Sequence, residues 1–403
     1  MGLYRTVIIV GLFFLILYTS SSAFNTIVTR IYESAGDHHI GPFLLMTQYA
    51  TSMITNLFIP LLRYSSYKWV ITLSALCYAF NNATGFFIID SGETLRFVLG
   101  GLGAIINGIG GVVSWISASR YLHNACHHYE KEEEKGHFFG IFNFIYSLSS
   151  VLAGVVVTFG LGLMSNRNYF ILIMAIALLS FVFALVFIRD IPDQQQQEKE
   201  EHRLTPKEVL LSTLRFYPIM ASVLGFIFLD GINIGIQTAT ILRLIPMSDD
   251  QHNDKIRVGI MIIVKGTGCL LGGYVDGFIC DKLKMRRVMM LSIGMYALSC
   301  VLIWVGALVE DYYFTLAIGF FFGIQYYFIS SCEMVMCSRL FEGKTESFAV
   351  VKQFHSVSFV IYEIVSLTTS NSIPVKYIMP VLLIFIIPAF IGLRKLPKEY
   401  KSI

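Results

Sequence analysis

Charge is what this sequence has least of. Asp, Glu, Lys and Arg make up 14% of its 403 residues, where soluble domains carry about 25%. That shortage excludes an ordinary water-soluble globule, which needs more ionised groups to solvate its surface. Cysteine is equally uninformative: the seven present are scattered and odd in number, with no C-x-x-C pair. Such a set supports neither a disulfide framework nor a zinc cluster. Also missing are a P-loop, a dinucleotide fingerprint and a nucleophile elbow, so the chain is expected to be non-enzymatic and to use no cofactor. Its basic residues line short loops, not a groove, and no nucleic-acid partner is expected.

What the chain has in excess is apolar length. Hydrophobic residues fill 55% of it, gathered into twelve runs at about 4–24, 42–62, 69–89, 95–119, 137–162, 168–188, 214–242, 257–278, 287–308, 312–336, 348–369 and 375–393. Each run holds roughly 20 residues or more, enough to cross ~30 Å of hydrocarbon at ~1.5 Å per residue. Between the sixth and seventh runs lies a polar hinge, residues 189–207, with a Gln-rich centre followed by Glu198, Lys199, Glu200, Glu201 and His202. Such a segment cannot bury enough apolar surface to fold alone. It ends in Thr205-Pro206-Lys207-Glu208, a capping box with proline at the first helical position, which starts a new helix. The expected fold is therefore an all-α integral membrane protein of twelve transmembrane helices in two six-helix bundles. Residues 1–188 and 214–403 form the bundles, joined by a polar linker at 189–213.

Orientation follows from the loops. Twenty Lys and Arg residues fall on the side that holds both termini and the linker, against seven on the other. The positive-inside rule puts the richer side in the cytoplasm, or in the matrix if the membrane is mitochondrial. A plasma or internal membrane is favoured, since no Arg-rich presequence precedes the first run.

The sharpest motif is at the inner end of the eighth run, where Gly277, Asp281, Lys282, Arg286 and Arg287 stand close together. This loop resembles the G-x-x-x-D-[RK]-x-G-[RK]-[RK] signature of the major facilitator superfamily, with Lys284 in place of the second glycine. The glycine permits close helix approach. The aspartate can pair with a base and accept hydrogen bonds from a helix N-terminus, forming a latch that must open when the protein changes state. The equivalent first-half loop, Arg63 to Lys68, lacks the aspartate. Small-residue rows, Gly100-Ala104-Gly108 in the fourth run and Gly268–Gly272 and Gly273–Gly277 in the eighth, point to tight helix packing. Trp115, Arg120, Tyr121, Leu122, Gly136, Gly140 and Phe142 further resemble the W-x-x-Q-G-x-Y-L and G-x-x-x-G-x-F motifs of the Unc (uncoordinated-ninety-three-like) family of ion-channel regulators. Ala118 and Ser119 replace that family's Gln-Gly.

Ionisable residues at membrane depth need a partner or a cavity. Asp230, Asn233 and Gln237 form one polar stripe on the seventh run. Counted from the run ends, Asp230, Lys265 and Glu363 lie at similar depth, so Asp230 and Lys265 are expected to pair, leaving Glu363 free. Gln325 and Glu333 sit on the tenth run. Asn25 and Ser20–Ser22 on the first run, and Asn107, Ser114 and Trp115 on the fourth, make a milder first-half cavity wall. The superfamily resemblance implies that runs one, four, seven and ten line such a cavity. The loop from His123 to Glu134 carries His and Glu side chains at metal-capable spacing, but solvated loops often do so, and no metal is expected there.

Two functions remain open. Resemblance to the Unc family implies a regulatory or accessory subunit of an ion channel or larger membrane complex, and this is the favoured reading. The alternative is an active secondary transporter for a small solute, driven by rocking of the bundles and coupled to a proton or cation. Either way the bilayer is a partner. Epitope tags at the two termini and within residues 192–204 should all be reached by antibody from one face of sealed vesicles. Protection of any one of them alone would change the span count.

Overall fold

The structure, a computed structural model, describes residues 2–34, 40–64, 66–88, 91–191, 205–241, 244–246, 251–369 and 375–396. The Gln-rich centre of the expected linker lies outside these. The first half consists of α1 (Gly2–Ser34), α2 (Ile40–Asn56), α3 (Tyr67–Ile88), α4 (Glu93–His128), α5 (Lys135–Leu163) and α6 (Asn166–Phe187). The second consists of α7 (Pro206–Met220), α8 (Leu224–Gly235), α9 (Gln251–Lys282), α10 (Met285–Val309), α11 (Tyr312–Leu340), α12 (Thr345–Thr369), α13 (Val375–Leu382) and α14 (Ile386–Arg394). Among the described residues, ten helices are long and apolar enough to span a bilayer, or eleven if α7 and α8 count as one broken span. The second expected crossing falls on α2, which is not among these. Its 17 residues run on into a 3-10 turn, Ile59–Tyr64, where Pro60 cannot donate to the helical ladder. Large apolar side chains such as Phe87, Phe159, Val186 and Ile384 face outward, as a lipid-facing surface requires.

The seventh span differs from expectation. The capping box forms as the sequence indicates: the Glu208 amide donates to Thr205 Oγ1 and the Thr205 amide to Glu208 Oε2, at 3.3 and 2.7 Å. The helix it starts does not run on unbroken. α7 and α8 meet at 103°, just after Pro218, so the seventh run is broken before Leu224 instead of forming one helix from near residue 214. α7 carries exposed Leu211, Leu214 and Ile219 beside exposed Lys207 and Arg215, the pattern of a helix lying in the membrane surface. α8 ends in a π turn, Ile236–Thr240, a local widening often found where a helix serves a site.

Within the first half α1 packs on α5 and α6, and α3 on α4 and α6; within the second, α9 and α10 pack on α11, and α8 on α12. Two seams join the halves, α5 against α9 and α2 against α12. The small-residue rows explain the first. Gly268 and Gly272 face the backbone of α11 at Phe320 and Ile324, whereas Gly273 and Gly277 face α5 at Asn143 and Gly140. A Cβ on Gly277 would lie 2.6 Å from Gly140 Cα and 2.7 Å from Gly136 O, so backbone meets backbone and nothing larger fits. At Gly294, by contrast, an added Cβ meets nothing within 4 Å. Gly277→Leu should therefore lower stability by about 1–3 kcal/mol and depress the melting temperature in detergent. Gly294→Ala, inside α10, should leave the melt unchanged or raise it slightly.

Candidate functional site

Three layers of contact join the halves, from the linker end inward. The outermost is the latch. Asp281, at the end of α9, accepts from the amides of Gly136 and His137 at 2.9 and 2.6 Å, the first turn of α5 across the seam. These are unsatisfied helix N-terminal donors, and a carboxylate there also meets the positive end of the helix dipole. The base that pairs with Asp281 is Arg339, at the end of α11. Its guanidinium also donates to Cys280 O at 2.7 Å and to Glu133 O of the first half at 2.8 Å. The sequence implies a basic partner without naming one. Lys282 instead lies over the Phe278 ring, 3.9 Å from its centroid, and Arg286 and Arg287 open α10 without an ion pair among the described residues.

Behind the latch, His123 of α4 meets Ser338 Oγ of α11 at 2.7 Å. Gly343, with φ 64°, turns the chain against that imidazole where a side chain would collide with it. Deeper still, Asn143 Nδ2 donates to Ser331 Oγ at 2.6 Å. Among the described residues the first-half loop shows no counterpart of the latch. There Asp190, following α6, accepts from Ser66 Oγ at 2.7 Å and the Lys68 amide at 3.2 Å, so its carboxylate caps α3 of its own half.

Above this seal is a cavity of about 180 Å³ between the halves. Its two walls differ in chemistry. The first half contributes Tyr18, Tyr49, Tyr78, Trp115 and Tyr146; the rings of Tyr18, Trp115 and Tyr146 lie 5.0–5.6 Å apart, edge to face. Tyr18 and Tyr78 share a 2.7 Å hydrogen bond. The second half contributes Lys265, Lys352 and His355 with Gln237, Tyr326 and Ser330. Lys352 reaches across to sit over Trp115, its Nζ 5.3 Å from the ring centroid, a cation–π contact between the halves.

Of the residues singled out from sequence, Asn25, Trp115, Gln237 and Lys265 line this cavity. Asn107, Asp230, Asn233, Gln325, Glu333 and Glu363 are buried around it. Asp230 does not pair with Lys265: its neighbour is His355, with Nδ1 2.9 Å from Oδ2. The late start of α8 explains the change, since Asp230 is six residues from the linker end of its span, too near that end to meet Lys265. Glu363 is not free either; it has a partner of its own. His355 and Lys352 escaped the sequence reading. Both lie inside the eleventh apolar run, where Lys352, His355 and Ser356 repeat at i, i+3, i+4, a spacing that marks one helix face.

Glu333 joins Asp230 and His355 in one group, all three buried. Among the described residues none of the four carboxylate oxygens has a hydrogen bond, nor does His355 Nδ1; its approach to Asp230 is close but poorly aligned. Lys265, on α9, faces the cavity without an ion pair among the described residues. The charges exposed to the cavity are thus basic, and the acidic ones stand behind them.

A family model described as the Major Facilitator Superfamily matches residues 10–362. Among solved structures, the chain is similar to the crystal structure of the human organic anion transporter MFSD10 (TETRAN), with a TM-score of 0.70 over 98% of this chain and 100% of that one. Sequence identity is 13%, so this likeness concerns the fold. No curated protein matches the sequence. In a double-mutant cycle, Asp281→Asn and Arg339→Gln should each lower the melting temperature. Their coupling should be about 1.5–3 kcal/mol, the range for hydrogen bonds to charged groups. Strict additivity would mean that the two side chains stabilise the seam independently.

Proposed function

The chain belongs to the major facilitator superfamily, and from that premise we propose that it is a secondary transporter whose central cavity takes a small organic anion. The observation that carries this reading is the asymmetry of the cavity: aromatic rings on one wall, Lys265, Lys352 and His355 on the other. An anion with a flat apolar body matches both walls, stacking on Trp115 and Tyr146 while its charge meets the lysines. The solved neighbour is named as an organic anion transporter, which accords with the charge of this cavity. Two bundles joined at the linker end by a few polar contacts, with a solute site at the seam, suit alternating access by rocking. A solute anion arriving between Lys352 and Trp115 would compete with the cation–π contact that links the halves, coupling occupancy to opening.

The accessory-subunit reading rests on the Unc-type motifs around Trp115 and Gly136, and on the missing first-half aspartate. It predicts recovery of the chain from mild detergent in a stoichiometric assembly with another membrane protein. The cavity moves the balance toward transport, because a scaffold has no need to keep two lysines in a buried polar chamber.

The test is uptake into proteoliposomes of radiolabelled benzoate and larger aromatic carboxylates. Saturable uptake is expected, with Lys265→Gln and Lys352→Gln each raising KM or lowering kcat/KM by at least tenfold. Lys352→Arg, which retains charge and ring contact, should recover much of the activity. Uptake no greater than in protein-free vesicles across the panel would end this reading.

A further inference from the structure

We propose that Asp230, Glu333 and His355 form a binding site for one divalent first-row transition-metal ion, of the Mn2+ or Zn2+ class. The site belongs to the second half alone, drawn from α8, α11 and α12, and is separate from the lysines that face the cavity.

Placement comes first. One ligand-capable atom from each residue lies within 4.8 Å of the other two. Three ligands of one such ion, each at about 2.0–2.2 Å, stand roughly 3–4 Å apart. Closing the set therefore takes side-chain adjustments of up to about 1 Å. The helices are held for it. A side chain on Gly231, next to Asp230, would collide with His355 O and Ser358 Oγ, so only glycine lets α12 press against α8 and bring His355 to the carboxylate.

Unmet bonding is the second observation, and it points to a ligand. Asp230 is 0%, Glu333 1% and His355 6% exposed. Asp230 has the 2.9 Å approach of His355 Nδ1, poorly aligned for a hydrogen bond, and Glu333 has no hydrogen-bond partner among the described residues. Buried polar groups are ordinarily satisfied, and each exception calls for an explanation such as an ion. Lys352 does not supply it. No ion pair joins it to either carboxylate among the described residues, and its ammonium is directed to Trp115.

Charge and donor type then select the ion. Two carboxylates and a neutral imidazole balance a divalent cation without excess charge. One nitrogen and two oxygens suit Mn2+ or Zn2+. Three protein atoms are too few for Ca2+, which takes six to eight oxygens. Because His355 also lines the cavity, an ion can enter from there, and its open coordination positions face the same space.

The experiment uses full-length protein purified in detergent, stripped with chelator, and titrated with Mn2+ and with Zn2+ by calorimetry. Expected is one ion per chain, with Glu333→Gln and His355→Gln each weakening binding at least tenfold. His127→Gln, in an exposed pair with Glu132 at the end of α4, should leave it unchanged. Co2+ added to the wild type should give visible d–d absorption that Zn2+ displaces, a readout that does not depend on any variant folding. Absence of both heat and absorption would overturn the proposal, as would equal binding by wild type, Glu333→Gln and His355→Gln. Binding is measured without transport, so failure here leaves the anion reading intact, and failure of uptake leaves the metal site intact.

Discussion

How closely α5 and α9 approach one another governs the rest of the molecule. Lipid offers no hydrophobic drive to press helices together, so their association depends on close van der Waals fit and on hydrogen bonds. At Gly140 and Gly277 the two backbones touch with no side chain between them. That contact brings the free amides of Gly136 and His137 within reach of Asp281. A leucine at either glycine would push the carboxylate away from its donors and leave Arg339 without its partner. Farther along the seam side chains do interlock, with Ile263 set against Gly154 and Val151 against Gly266.

The two faces of α9 share this work. One row of glycines fastens it to α11 inside its own half, and the next row, offset along the helix, lays it against α5. α9 is therefore the element through which a change inside the second half is felt at the seam. The buried groups fit this division. Carboxylates sit behind the cavity among helices of one half, whereas the basic groups and the aromatic wall face each other across the gap between halves.

The architecture was legible because its signals are local. The all-helical membrane fold comes from the length of apolar runs, and Asp281 announces itself by its distance from Gly277. The partners were less legible because they are distant in sequence. Nothing in the loop itself says that Arg339, 58 residues on, would outcompete Lys282, Arg286 and Arg287. The expected pairing of Asp230 with Lys265 failed for a different reason. Depth was counted along an unbroken seventh span, and the sharp bend after Pro218 moved Asp230 toward the linker end and onto His355. Tyr18, Tyr78, Trp115 and Tyr146 make one wall from four different spans, a grouping that no spacing rule within a helix can reveal.

The latch described above belongs to the α5–α9 seam. Asp190 spends its carboxylate on α3 of its own half, and the α2–α12 seam carries a stacked pair, Tyr49 on Phe359, with ring centroids 3.8 Å apart. Stacked rings can roll over one another without losing contact, whereas a charge-assisted hydrogen bond is either made or broken. The halves are thus built like a door, with an oiled hinge along one edge and a hasp along the other. Were the hasp to lift, the guanidinium of Arg339 would lose its carboxylate and stand uncovered beside α5.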